Sequence, residues 1–215
     1  KTRMTIIVLG AVLLFAGIAG AQQVLLPGAT IPKFVDPLPV AGDISVVDAT
    51  SGVGGKNGTP FNVTAEEFQA QILPTGFMGP SWVWGYLVEG DNPNVVRPSF
   101  LGPVIVAERN VPAHPVYINN LQQNGNVQMN LPIDQTLDWA DPDGIGCEAD
   151  FSCFTPYSGP IPIATHLHGG EVSPFFDGGP DAWFTRNTLD PDNPDAQGPG
   201  FPGATYHYPN EQQES

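Results

Sequence analysis

The sequence predicts an all-β protein, built as a sandwich or a barrel of short strands. Its 215 residues include 25 glycines and 24 prolines, and 41% of the residues are apolar while only 13% are charged. Glycine and proline spread in this way favour short strands joined by loops. The 12 Phe, 4 Trp and 5 Tyr are too many core-type side chains for a disordered chain.

Individual strands are predicted where residues alternate or where β-branched runs are bounded by glycine and proline. In residues 81–89 the aromatic side chains of Trp82, Trp84 and Tyr86 alternate, which is the period of a strand with one buried face. Further strands are predicted at residues 104–106, 116–118, 161–167 and 204–208.

One short helix is predicted at residues 65–70. Thr64 and Glu67 have the spacing of a capping box, in which the two side chains bond to each other's main-chain N–H groups. Residues 121–159 and 189–203 are rich in turn-forming residues and are predicted to be loops.

The N-terminus has the composition of a signal peptide. Lys1 and Arg3 precede an apolar run over residues 5–19, and a small-residue triplet ends at Ala21. Residues 1–21 are therefore predicted to be cleaved, with export to the cell envelope or the extracellular space. An uncleaved membrane anchor is the alternative, although the run is short for a span of ~20 residues.

The chain is strongly acidic, with a formal net charge of −15 and a pI near 4.2. Nucleic-acid binding requires a basic surface, so no nucleic-acid partner is expected. The predicted leader carries two of the seven basic residues and none of the 22 acidic ones. The mature protein is therefore more acidic still, and no stable association with an anionic membrane is expected after cleavage.

Cys147 and Cys153 are the two cysteines of the chain. In an oxidising compartment such a close pair is expected to form a disulfide. Free thiols and metal ligands are the competing interpretations, although there is no C-x-x-C motif and neither cysteine neighbours a histidine in the sequence.

Two of the four histidines, His166 and His168, are separated by one residue. On a strand they point the same way, with Cα atoms ~6.5–7 Å apart. That spacing suits one metal ion or two adjacent ions, and imidazole suits copper, zinc, iron and nickel. Gly169 and Gly170 allow a sharp turn next to the pair. Two ordinary, partly buried histidines are the alternative interpretation.

The wider stretch "HLHGG…DGGPDAWF", residues 166–184, resembles the first copper motif of multicopper oxidases, in particular the spore-coat laccase and bilirubin oxidase group. Four other stretches are similar to the family: "WVWGY", "GPVIVAERNVPAHPVYINNL", "LPIDQTLDWADP" and "YHYPNEQ". The resemblance spans residues 81–212. It implies a cupredoxin-like (plastocyanin-like) Greek-key barrel or sandwich over residues 81–215, preceded by an N-terminal extension over residues 22–80.

The resemblance also implies roles for individual residues. His166 would ligate the type 2 copper, and His168 a type 3 copper, of a trinuclear cluster that reduces dioxygen to water. Asp177 matches an acidic residue beside the cluster, and a carboxylate there can relay protons to the reaction. Without the resemblance, Asp177 would be interpreted as a turn residue.

The other two histidines, His114 and His207, lie where the family has no copper ligand. They are expected to be surface or hydrogen-bonded side chains.

A complete enzyme of this family needs further H-x-H motifs and a type 1 copper held by a cysteine and histidines. This chain has one H-x-H motif, so the sequence predicts the N-terminal part of an exported copper oxidase, cut short within its first barrel and inactive alone. The whole enzyme would pass electrons from a small reducing substrate (a phenol, a pigment or a metal ion) to dioxygen. The alternatives are a non-catalytic, secreted copper-binding or structural β-domain and a zinc hydrolase using His166, His168 and Asp177.

Overall fold

The computed structural model describes residues 25–40, 44–50, 60–122, 125–127, 160–186 and 197–213. The chain divides into two compact units, residues 1–33 and residues 34–215. In the first unit, the described residues contain one 3-10 turn, Gly28–Thr30, in which Thr30 Oγ1 donates to the Pro27 carbonyl at 2.7 Å. The strands and the candidate site belong to the second unit.

The second unit contains five strands in its described part. They are β1 (Val46–Asp48), β2 (Phe61–Ala70), β3 (Ser81–Val88), β4 (Val104–Val106) and β5 (Pro115–Asn119). The single helical element described there is a 3-10 turn, Pro174–Phe176. The all-β prediction is therefore confirmed.

The larger sheet has the order β3-β2-β5. Strands β2 and β3 are antiparallel, with Phe68 opposite Val83, whereas β2 and β5 are parallel, with Val63 opposite Tyr117. Residues 204–208 run antiparallel along the other edge of β5. Strands β1 and β4 form a second, parallel sheet. These described strands do not close into a barrel, which fits the sandwich form of the prediction.

The main core lies on the inner face of the larger sheet and is rich in aromatic side chains. Tyr117 and Tyr206 pack edge to face with ring centres 4.9 Å apart, a contact worth about 0.5–1.5 kcal/mol beyond the burial itself. Val47 of β1 packs against this cluster, which joins the small sheet to the large one. The buried members are Ala49, Phe61, Val63, Ala113, Tyr117, Phe184, Tyr206 and Tyr208.

The helix predicted at residues 65–70 is wrong, because these residues belong to β2. Its buried side chains change faces within the strand: Ala65 faces one cluster, whereas Phe68 packs with Leu87 on the opposite side. Pairing with strands on both edges satisfies the main chain of β2, and this tertiary pairing overrides the local capping pattern.

The strands predicted at residues 81–89, 104–106 and 116–118 are confirmed as β3, β4 and β5. Both faces of β3 pack on buried side chains: Leu87 lies in one cluster, whereas Trp84 and Tyr86 on the opposite face contact other core residues. Trp82, near the start of the strand, is 43% exposed. Residues 161–167 do not form the predicted strand. They pair only through a bridge between Ile163 and Phe184.

Strand β2 comes from the stretch before residue 81 yet lies between β3 and β5. The proposed domain boundaries stay a prediction, and the leader and both cysteines, Cys147 and Cys153, lie outside the described residues. Within the part of the chain that the structure describes, no helix is long and apolar enough to cross a membrane.

Candidate metal centre

Residues 164–183 form a loop, called the histidine loop below, that carries His166 and His168. Its base is closed by Ile163 and Phe184, whose main chains exchange two hydrogen bonds, of 3.0 and 2.9 Å. The buried side chain of Asn119, in β5, fixes this base by donating to the carbonyls of Ile161 at 2.8 Å and Phe184 at 3.0 Å. The sheet thus holds both ends of the loop.

The two histidine rings lie close together on the exposed side of the loop. Their ring centres are 6.1 Å apart and the ring planes differ by 41°. Nδ1 of His166 lies 3.2 Å from the Ala164 carbonyl oxygen. Because a carbonyl only accepts, Nδ1 carries the proton in this hydrogen bond. The lone pair of His166 is therefore on Nε2, which is available to a metal ion.

Two glycines shape the loop around the rings. Gly178 has a left-handed backbone (φ +69°), and a Cβ added there would lie 2.5 Å from Cγ of His166 and closer still to Nδ1. Gly169 follows His168 with φ +77°, and an added Cβ would meet nothing within 4 Å. Gly169 therefore serves the turn, whereas Gly178 also gives the His166 ring its space.

Asp177 directly precedes Gly178 and ends the 3-10 turn Pro174–Phe176. Its main-chain N–H donates to the Pro174 carbonyl at 3.4 Å, and its side chain is exposed. Asp177 is thus the sequence neighbour of Gly178, which contacts His166. Its role in moving protons stays a prediction.

The spacing of the two imidazoles determines how many metal ions they can share. A metal–imidazole bond of about 2 Å places each ring centre about 3.2 Å from the ion, so rings on one ion are at most about 6.4 Å apart. The observed 6.1 Å approaches this limit, which favours two neighbouring ions over one shared ion. Neutral imidazole suits copper. Among the described residues, no group of three or more His, Cys, Asp or Glu converges on one point.

Four tyrosine rings, called the tyrosine row below, pack one against the next. The ring centres are 5.9 Å apart for Tyr86 and Tyr117, 4.9 Å for Tyr117 and Tyr206, and 6.2 Å for Tyr206 and Tyr208. Phe176 in the histidine loop packs on Tyr206 with ring centres 5.3 Å apart, and the Tyr208 hydroxyl donates to that of Tyr117 at 3.3 Å. Burial raises the pKa of all four: Tyr86 (to about 12), Tyr117, Tyr206 and Tyr208. Their hydroxyls therefore stay neutral well above physiological pH.

His114 and His207 were not expected to have a joint role. The structure brings their ring centres to 4.9 Å, at a place separate from the histidine loop. The residues alone gave no sign of this, because the pair depends on how residues 204–208 align with β5. The pair could have been foreseen only if the residue-by-residue alignment of these two segments had been known.

The fold and the loop together define a class: an all-β domain that presents two exposed imidazoles on a glycine-rich loop. No protein-family model matches the chain. The chain is similar to a laccase of Bacillus subtilis, with 31% identity over 186 residues, which is 85% of this chain and 28% of the relative.

Two further relatives are also named multicopper oxidase or laccase. Multicopper oxidase LPR1 homolog 5 of Oryza sativa is 28% identical over 87% of this chain and 24% of its own length. A laccase of Haloferax volcanii is 28% identical over 91% of this chain and 29% of its own length. These similarities support the multicopper oxidase family for this chain, which spans less than a third of the length of each of these relatives.

Proposed function

We propose that this chain is the N-terminal part of an exported multicopper oxidase of the spore-coat laccase and bilirubin oxidase group. The observation that carries the proposal is the pair of exposed imidazoles, His166 and His168, with ring centres 6.1 Å apart on a loop whose ends are fixed to the sheet. The similarity to proteins named laccase and multicopper oxidase, over most of this chain, supports copper as the metal.

In this proposal each histidine binds a different copper ion of one trinuclear centre. His166 is already hydrogen-bonded through Nδ1 and binds through Nε2, and the contact with Gly178 limits the rotation of its ring. His168 binds the neighbouring ion. When bound, the copper centre supplies the electron transfer that reduces dioxygen, with electrons that come from a small reducing substrate such as a phenol, a pigment or a metal ion.

Asp177 supplies protons for the reduction of dioxygen. Reduction of dioxygen to water consumes a proton with every electron, so the centre needs a route for protons from solvent. The carboxylate of Asp177 is exposed. Asp177 ends the 3-10 turn and directly precedes Gly178, which lies beside the His166 ring. It takes protons from water and passes them toward the histidine loop.

Export follows from the predicted leader over residues 1–21, and the oxidising compartment then closes Cys147 and Cys153 as a disulfide. The acidic mature protein is proposed to be secreted or held in the cell envelope without stable membrane association.

Dioxygen uptake tests the proposal. The product of the complete open reading frame is loaded with copper and assayed with a phenolic dye. We expect turnover that His166→Gln and His168→Gln each abolish, whereas Gly76→Ala, in an open turn remote in sequence from the histidine loop, leaves it unchanged. Absence of turnover in the copper-loaded protein would instead support a non-catalytic copper-binding or structural domain. Stoichiometric zinc without copper in the protein as purified, before copper loading, would support the hydrolase alternative.

A further inference from the structure

His114 and His207 form a cross-strand pair on the outer face of the larger sheet. Ala113 and Tyr208 exchange two main-chain hydrogen bonds of 2.9 Å, and Tyr206 N–H donates to the Pro115 carbonyl at 2.9 Å. His114 and His207 lie directly opposite each other between these bonds. This is the non-hydrogen-bonded type of antiparallel pair, in which facing side chains approach most closely.

The two rings have a spacing that fits a single metal ion. Their centres are 4.9 Å apart, with ring planes tilted by 45°. With metal–nitrogen bonds of about 2 Å, two imidazoles on one ion have ring centres about 4.5–5.2 Å apart for bond angles of about 90–110°. The observed distance lies within this range, unlike the 6.1 Å between His166 and His168.

The surroundings of His114 also suit a metal ligand. Burial lowers its pKa, the nearby His207 lowers it further, and a hydrogen bond to the main chain of Tyr206 acts in the opposite direction. A metal-binding histidine commonly donates its second N–H to a main-chain carbonyl, and the main chain of Tyr206 is close enough to the His114 ring to serve this purpose.

We propose that His114 and His207 bind one divalent transition-metal ion at a second site, separate from the histidine loop. Two imidazoles suit Cu²⁺, Ni²⁺ and Zn²⁺, and Cu²⁺ binds most tightly in the general order of metal affinities. His207 is exposed, so an ion enters from solvent and keeps water in its remaining positions. The ion ties residues 204–208 to β5 and stabilises this edge of the sheet.

The test uses the full 215-residue chain carrying His166→Gln and His168→Gln, so that His114 and His207 are its last two histidines. This variant is titrated with Cu²⁺ and separately with Zn²⁺ by calorimetry. We expect one equivalent of metal to bind and the thermal midpoint to rise, because a ligand that binds only the folded state stabilises it. Pulsed electron paramagnetic resonance should detect imidazole nitrogens on the bound Cu²⁺.

Adding His207→Gln to this background should weaken binding by at least about tenfold and remove the thermal shift. Thr205→Ala, an exposed change on the same segment, is the matched control and should alter neither. His207 is exposed, so its replacement is not expected to disturb folding, which circular dichroism checks. Binding that His207→Gln leaves intact, or no binding by the background variant, would overturn the proposal and leave a packed pair of rings without a metal.

Discussion

Gly178 lies directly against the imidazole ring of His166, in a backbone conformation (φ +69°) that residues with a side chain rarely adopt. The space beside the ring is so small that a Cβ at this position would lie 2.5 Å from Cγ of His166. The glycine after Asp177 therefore fixes where the histidine can point. The orientation of His166 depends on a residue that binds nothing itself.

Gly178→Ala should weaken copper binding at the histidine loop by about 10- to 100-fold, because the new methyl group displaces the His166 ring. Gly76→Ala is the matched control: its φ of +81° carries a similar backbone cost, but the added Cβ meets nothing within 4 Å. Both variants should lose about 1 kcal/mol of stability through the backbone. Copper titration of the two variants separates the effects, and equal copper affinities would refute the steric argument.

Asp177→Asn should slow dioxygen reduction by about 10²-fold or more while copper content is retained, because the amide cannot relay protons. The measurements are dioxygen uptake across a pH series and copper content by mass spectrometry, on the product of the complete reading frame. Asp181→Asn, an exposed acid in the same loop, is the control and should keep both the rate and the pH profile. A loss of copper from Asp177→Asn would show a structural role instead.

Asn119→Ala should destabilise the fold by about 2–4 kcal/mol, because the Ile161 carbonyl and the Leu121 N–H lose buried partners. Asn120→Ala is the comparison, since the side chain of the half-buried Asn120 donates one hydrogen bond, of 2.6 Å, to Glu66. Its cost should be smaller than that of Asn119→Ala, because water can replace the lost partner of Glu66 at this half-buried position. Urea unfolding of both variants measures the difference, and similar midpoints would contradict the role of Asn119 as the anchor of the loop base.

The tyrosine row should make the protein sensitive to alkali. A tyrosine whose pKa is raised by folding keeps its proton above pH 10 only in the folded state. Below about pH 10 such a tyrosine therefore makes its full contribution to the free energy of unfolding. This contribution is lost as the pH rises through the pKa of the folded state, about 12 for Tyr86. Unfolding free energies from about pH 9 to 11.5 should therefore decline, less steeply in Tyr208→Phe.

Ultraviolet difference absorbance provides the second check on these tyrosines. Four of the five tyrosines should form phenolate only above the ordinary range while the protein is folded. Phenolate formation by all five near pH 10, without unfolding, would show that the row is not buried as described.

The sequence predicted those parts of the fold that depend on near neighbours. Strands β3, β4 and β5 have local signals: alternation at Trp82 and Trp84, and β-branched runs ended by glycine or proline. Strand β2 was missed because its buried residues change faces after Ala65, so the period of two is broken within the strand. Its pairing with β3 and β5 is a tertiary effect that no local window contains.

The histidine contacts likewise divide into one that depends on neighbouring residues and one that depends on distant segments. The proximity of His166 and His168 follows from one intervening residue, so the sequence was sufficient to expect it. The contact of Gly178 with His166 was not foreseen, because it requires the path of the whole loop. The contact between His114 and His207 depends on the alignment of two segments that are distant in the sequence. The composition of the chain does not indicate this alignment.

His166 and His168 are proposed to hold copper ions of an oxygen-reducing centre. The most direct measurement is the copper content of the complete reading-frame product, with and without the paired changes His166→Gln and His168→Gln. We expect the double variant to lose the copper ions of the trinuclear centre and to retain the type 1 copper. A double variant with the full copper content of the unaltered protein would contradict it.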